Sequence, residues 1–100
     1  MKALIKSWAE RLGVDDWDIS TERIDPEQID YNGEKYFVGI ERDFDDRSAV
    51  IYHDIPLDEE SIVHELLHIA FPQKDDEDYY EYEKFITKTT KDTIFLHHIN

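Results

Sequence analysis

Residues 58–71, DEESIVHELLHIAF, determine the fold class and contain the candidate site of this chain. Asp58 is a residue type that caps helix N-termini, and Pro72 follows the last apolar residue. The pattern predicts a helix over 59–71 that Phe71-Pro72 ends.

The motif is His64-Glu65-Leu66-Leu67-His68, whose three polar side chains interrupt an otherwise apolar stretch. Residues four apart lie one helical turn apart on one face, so both imidazoles can bind one metal ion at roughly 2.0 to 2.1 Å. Glu65 lies about 100° round the helix from His64, within reach of a water molecule at that ion. The spacing predicts a Zn²⁺ site with His64 and His68 as ligands and Glu65 as general base. The alternative is a pair of surface or hydrogen-bonded histidines without a metal.

A catalytic zinc site normally has three protein ligands and one open position, so a third ligand must come from elsewhere. The chain has no cysteine, which leaves histidine and carboxylate. Pro72 ends the helix and Lys74 stands where an HExxHxxGxxH motif would have its third histidine. The remaining candidates are carboxylates on a second helix, predicted over 79–90, and the histidines His97 and His98 near the C-terminus.

The whole chain, residues 1–100, predicts one α+β domain. Its expected order is an N-terminal helix, a small three-stranded sheet, the HExxH helix, a second helix and a C-terminal tail. The sheet is expected to be antiparallel or mixed and covered on one face by helices. The predicted elements are a helix over 2–12 capped by Gly13, and strands over 17–24, 35–42 and 48–54, the last two pairing antiparallel, with a turn at Asn32-Gly33.

Apolar spacing in the second helix places Tyr82, Phe85, Ile86 and Thr89 on one face, which is expected to be buried. The tail that follows, TIFLHHIN, is apolar and β-branched, and the sequence does not decide its conformation.

The chain has 11 basic and 25 acidic residues and a formal charge of -14. This charge would repel nucleic-acid phosphates and anionic lipid, so we expect neither nucleic acid nor membrane as a partner. No stretch approaches the roughly 20 apolar residues that span a bilayer, and the N-terminus lacks an export signal. The sequence therefore predicts a soluble, cytoplasmic protein, either a monomer or a weak homo-oligomer.

The order of these features resembles the gluzincins, zinc peptidases in which a glutamate from a downstream helix completes the HExxH site. Members carry this glutamate in a Glu-aromatic-x-Ala-Asp type sequence, and the corresponding residues here are EYEKF. The resemblance makes Glu81 the third zinc ligand, although Lys84 and Phe85 differ from the family pattern. Glu77 is the second candidate, since Glu81 would then be its acidic neighbour, and Glu83 is the third.

The closest overall resemblance is to the minigluzincins, minimal soluble relatives of membrane-embedded gluzincins, and it covers nearly the whole chain. It implies a zinc endopeptidase that acts on a peptide or protein and pairs it with an edge strand, here 48–54. It also implies that the tail can hold the enzyme latent, with His97 or His98 as a fourth zinc ligand; the alternative is an ordinary packing tail. Candidates for stabilising the oxyanion are Tyr79, Tyr80, Tyr82 and these two histidines.

Two other functions stay open at this point. One is a zinc domain without activity, in which the small frame lacks a full substrate cleft. The other is an acidic binding or inhibitor protein that mimics nucleic acid and occupies a DNA-binding partner, but this function leaves HELLH unexplained.

Overall fold

The computed structural model describes residues 2–24, 38–54 and 56–99, and it has the α+β organisation predicted from the sequence. The Asn32-Gly33 turn and the start of the predicted strand 35–42 lie outside the described residues. No helix in these ranges is long and apolar enough to cross a membrane. The elements are α1 (Lys2–Leu12), β1 (Asp18–Arg23), β2 (Val38–Asp43), β3 (Ser48–His53), α2 (Glu59–Ala70) and α3 (Tyr79–Ile99).

Helix α1 has the predicted bounds and buries Ile5, Trp8 and Ala9. Gly13 follows it with φ of 75°, the left-handed conformation that a glycine adopts without steric cost. The backbone N–H of Val14 donates to the carbonyl of Ala9 at 2.9 Å. This cap ends the helix and directs the chain towards β1.

The sheet is mixed, with strand order β1-β3-β2. Strand β3 pairs in parallel with β1 and antiparallel with β2, so the predicted antiparallel pair is confirmed. Ala49 and Ile51 of β3 are buried, whereas Val50 and Tyr52 between and after them are partly exposed. This alternation places one face of the sheet against the helices.

The central position of β3 corrects the expectation that strand 48–54 is an edge strand. Both edges of β3 are paired, so its backbone cannot pair with a substrate. Strand β2 is an outer strand, and among the described residues it pairs only with β3. An extended peptide would therefore have to pair with one of the outer strands, β1 or β2.

Helix α2 begins and ends where the sequence predicts, to within one residue. The carboxylate of Asp58 accepts a hydrogen bond from the Ser61 N–H at 2.7 Å, which is N-capping geometry. The helix packs against α1, α3 and β2, so it is covered on several sides. Its buried residues are Ile62, Val63, Glu65, Leu66, Leu67, His68 and Ile69.

Helix α3 continues to Ile99, so the C-terminal tail is the last part of this helix. His98 Nε2 lies 2.6 Å from a carboxylate oxygen of Glu59 in the first turn of α2. The ring of His97 packs edge-on against Trp8 of α1. The tail therefore packs against the start of α2 and against α1, and neither of its histidines contacts the HELLH histidines.

The Asp58 cap is expected to stabilise the helix that carries the motif. Replacement by alanine leaves the Ser61 N–H without its partner and should lower the free energy of unfolding by about 1 kcal/mol. The measurement is urea denaturation followed by circular dichroism. Asp75→Ala is the control, because it removes the same charge from an exposed turn, and equal effects of the two substitutions would contradict the capping role.

Candidate metal centre

The structure brings the imidazoles of His64 and His68 together on one face of α2. Their Nε2 atoms lie 3.3 Å apart, and the ring planes are inclined by 63°. His68 is buried, and His64 is partly exposed at the mouth of the site. The two rings therefore point their Nε2 atoms at the same region of space.

Glu83 of α3 faces both imidazoles. Its Oε1 lies 3.1 Å from His68 Nε2, and its Oε2 lies 3.5 Å from His64 Nε2. Ligand atoms of these three residues all lie within 4.8 Å of one another, the arrangement required to hold a single ion. Glu83 was the third candidate from the sequence, and it is the acidic residue that the packing places at the site.

The structure does not bring Glu81, the sequence-based choice for third ligand, to the imidazoles. Its side chain is 71% exposed and lies 3.9 Å from Lys84 Nζ. Successive residues of a helix are rotated by about 100°, so residues two apart point in widely different directions. Because Tyr82 is buried against α2, Glu83 lies on the flank nearer the histidines and Glu81 on the flank facing solvent.

Glu77, the second candidate, lies before α3 begins. Its carboxylate accepts a hydrogen bond from the Lys74 backbone N–H at 3.2 Å, which closes the turn between the two helices. It therefore has a local structural partner and does not belong to the His64, His68 and Glu83 group.

The three donor groups lie close enough together to hold one metal ion. Ligands arranged tetrahedrally around an ion at roughly 2.0 to 2.1 Å lie about 3.3 to 3.4 Å apart. In the structure the two imidazole nitrogens are 3.3 Å apart, while His68 lies 3.1 Å from one Glu83 oxygen and His64 lies 3.5 Å from the other. Two imidazole nitrogens and one carboxylate oxygen are also a donor set found in catalytic zinc sites. The residues present therefore suit zinc in chemistry, and one ligand atom from each lies within 4.8 Å of the others.

Glu65 is only 5% exposed and lines the cleft beside the two imidazoles. Burial first, and then the nearby Glu83 carboxylate, raise the pKa of its carboxyl group to about 8, against a smaller opposing effect of Arg42. The carboxyl group accepts no hydrogen bond from the described residues, yet neither oxygen is a fully buried unpaired atom. It therefore opens onto the cleft, where it can exchange a proton with a water molecule.

His68 is uncharged near neutral pH. Burial, together with smaller contributions from repulsion by His64 and Arg42, lowers its pKa to about 4. Because only an unprotonated imidazole nitrogen can bind a metal ion, burial keeps His68 in the form that a ligand must have.

Tyr82 and Arg42 both form hydrogen bonds with His68. The Tyr82 hydroxyl lies 3.0 Å from His68 Nδ1 and donates to the carbonyl of Phe71 at 2.7 Å. Arg42 donates from Nη1 to the carbonyl of His68 at 2.8 Å. Since the Tyr82 hydroxyl is engaged within the protein, it is not placed as the oxyanion-stabilising group considered from the sequence. Arg42 was not singled out from the sequence, where it is one of 11 basic residues.

The cleft at the site has a volume of about 280 Å³ and is bounded by β2, α2 and α3. Its lining residues from β2 include Val38, Gly39 and Ile40, beside the histidines. A larger cavity of about 860 Å³ lies between α1 and β1, but none of its lining residues is a histidine. The side chains suited to metal chemistry are therefore at the smaller cleft.

No family model, curated protein or solved structure matches this chain. The functional assignment therefore depends on the geometry of the site itself.

The first prediction from this geometry concerns zinc affinity. Glu83→Gln removes a zinc ligand and should therefore weaken zinc binding. Loss of an outer-shell partner weakens metal binding roughly 10- to 100-fold, and we expect the loss of a ligand to cost at least as much. Glu81→Gln is the matched control, two residues away on the same helix, and should bind zinc as the wild type does. Dissociation constants from competition with a chromophoric chelator provide the measurement. The reverse ranking would assign the ligand to Glu81.

The second prediction concerns the pH dependence of stability with a chelator present. The folded protein holds a proton on Glu65 up to a pKa of about 8, whereas the unfolded chain releases it near 4.5. The folded state thus binds more protons between these values, and its stability falls as the pH rises through them.

Glu65→Gln has no proton to lose at this position. Its free energy of unfolding should therefore rise relative to that of the wild type as the pH is raised from 5 to 8. At about 1.4 kcal/mol per pKa unit, the gain has a ceiling of about 5 kcal/mol. Urea denaturation at the two pH values measures it, with Glu60→Gln at an exposed position of α2 as control. A difference between wild type and Glu65→Gln that does not change with pH would contradict the raised pKa.

Proposed function

We propose that this protein is a zinc-dependent peptidase of the gluzincin type. In this proposal His64, His68 and Glu83 bind zinc and Glu65 is the general base. The observation that carries it is the convergence of two imidazole nitrogens and one carboxylate at separations of 3.1 to 3.5 Å. The third ligand thereby changes from Glu81 to Glu83, while the order of HExxH helix and glutamate helix stays the same.

Zinc in such a site supplies a Lewis acid that polarises a carbonyl group and lowers the pKa of a water molecule. Glu65 is next to His64 in sequence and opens onto the same cleft. Its role is to take a proton from the attacking water and return it to the departing amine. A pKa of about 8 in the metal-free protein is close to the working pH of a general base, and a neighbouring cation would favour the charged carboxylate.

The position of β2 supports a peptide as the substrate. Val38, Gly39 and Ile40 of this outer strand line the cleft that contains the histidines. An extended peptide can add to such a strand by main-chain hydrogen bonds, which bind peptides of many sequences. A scissile bond would then lie between β2 and the three ligands. The strand that fits this role is β2, whereas the sequence suggested β3.

The direct test is hydrolysis of casein, or of a mixture of quenched fluorescent peptides, by the zinc-loaded full chain. We expect cleavage that a chelator abolishes and added zinc restores. Glu65→Gln should lower the rate by roughly 10² to 10⁴-fold, the contribution of a general base, while it still binds zinc. Glu60→Gln, on the same helix but exposed, should retain the activity.

The outcomes of this assay also separate the alternatives. Zinc binding without hydrolysis of any substrate would favour a zinc domain without activity. If the wild-type protein binds no zinc, the proposal is contradicted, and the acidic binding protein is the alternative left to test. The cytoplasmic location and the monomeric or weakly oligomeric state stay predictions from the sequence.

A further inference from the structure

The hydroxyl group of Tyr82 lies where α2, α3 and β2 meet. Tyr82 is 3% exposed, and its hydroxyl contacts the Phe71 carbonyl at 2.7 Å and His68 Nδ1 at 3.0 Å. Burial raises the pKa of the same hydroxyl, and the nearby Arg42 side chain of β2 opposes this shift. A ring nitrogen of α2 and the carbonyl group of its C-cap residue therefore contact one phenolic oxygen.

The hydrogen-bonding capacity of these groups assigns the proton in each contact. A carbonyl oxygen only accepts, so the single hydroxyl proton of Tyr82 is donated to Phe71. A guanidinium only donates, so Arg42 cannot take that proton. The Tyr82 oxygen must then be the acceptor in its 3.0 Å contact with His68, and Nδ1 of His68 must be the donor.

The tautomer of His68 follows from this assignment. A neutral imidazole carries one N–H, so a proton on Nδ1 leaves Nε2 with a free lone pair. Nε2 is the atom that lies 3.3 Å from His64 Nε2 and 3.1 Å from the Glu83 carboxylate. The free lone pair thus faces the centre of the candidate site.

We propose that Tyr82 is a positioning residue that fixes the Nδ1–H tautomer of His68 and so presents Nε2 to a metal ion. The tautomer stands on the hydrogen bonds alone, whereas the role towards zinc rests on the proposed function. A hydroxyl group fixes the ring without adding negative charge. Among the described residues, the carboxylate in contact with the HELLH imidazoles is that of Glu83. Arg42 reinforces the arrangement, because it donates to the His68 carbonyl at 2.8 Å.

The tautomer is measured first, in the metal-free full chain at neutral pH. Long-range ¹H–¹⁵N spectra of protein labelled with ¹⁵N-histidine distinguish a protonated ring nitrogen from an unprotonated one. We expect the His68 ring to be protonated at Nδ1 in the wild type and in Tyr80→Phe, a control at a tyrosine that is 78% exposed. In Tyr82→Phe this preference should be lost. A wild-type His68 protonated at Nε2 would overturn the proposal without any variant.

Zinc affinity provides the second readout. Tyr82→Phe retains the buried ring and all three ligands, yet should weaken zinc binding by roughly 10- to 100-fold, as loss of an outer-shell hydrogen bond does. Tyr80→Phe should leave the affinity unchanged, and amide spectra of both variants report whether the fold is retained. An unchanged affinity in folded Tyr82→Phe would overturn the positioning role. If the wild type itself binds no zinc, the proposed function fails while the tautomer result is still decided by the spectra.

Discussion

The packing of α3 against α2 is the constraint on which the candidate site depends. Helix α2 alone supplies two imidazoles one turn apart, which is one ligand short of a catalytic zinc site. The third ligand comes from α3, and the rotation of α3 about its own axis decides which carboxylate that is. Burial of Tyr82, Ile86 and Thr90 sets this rotation, and it places Glu83 opposite the histidines.

The surroundings of α2 explain why its polar residues are informative. Five of its apolar residues are almost fully buried, and the two polar side chains buried among them, Glu65 and His68, lose hydration. His68 recovers hydrogen bonding from Tyr82 and faces Glu83 with its other nitrogen. Glu65 has no such partner among the described residues, and its raised pKa reflects the cost of burying its charge. Such a cost is concentrated at functional sites more often than elsewhere in a fold.

The sequence was sufficient to predict the HELLH helix, because its cap, its apolar run and its terminating proline are all local signals. It was not sufficient to choose between Glu81 and Glu83. Phe85 was expected on the buried face, but it is 45% exposed and packs edge-on against Phe71. Thr90 is buried instead, because its hydroxyl donates to the carbonyl of Ile86 at 2.7 Å and so satisfies itself within the helix. Because Thr90 is buried and Phe85 is exposed, the buried face of α3 is rotated towards the side of the helix that carries Glu83.

The central position of β3 in the sheet also could not be predicted from local sequence. Its β-branched residues and its pairing with β2 follow from local pattern, but its parallel pairing with β1 joins segments far apart in the chain. No local sequence feature specifies the pairing of β1 with β3, so β3 was expected to be an edge strand. The pairing makes β3 central and leaves β2 beside the site.

The most direct test of the account is a crystal structure of the zinc-loaded protein with anomalous diffraction collected at the zinc absorption edge. We expect one zinc ion at roughly 2.0 to 2.1 Å from Nε2 of His64, Nε2 of His68 and a carboxylate oxygen of Glu83. A zinc ion bound through Glu81 or through the C-terminal histidines would contradict it. So would the absence of an anomalous peak between the two HELLH imidazoles.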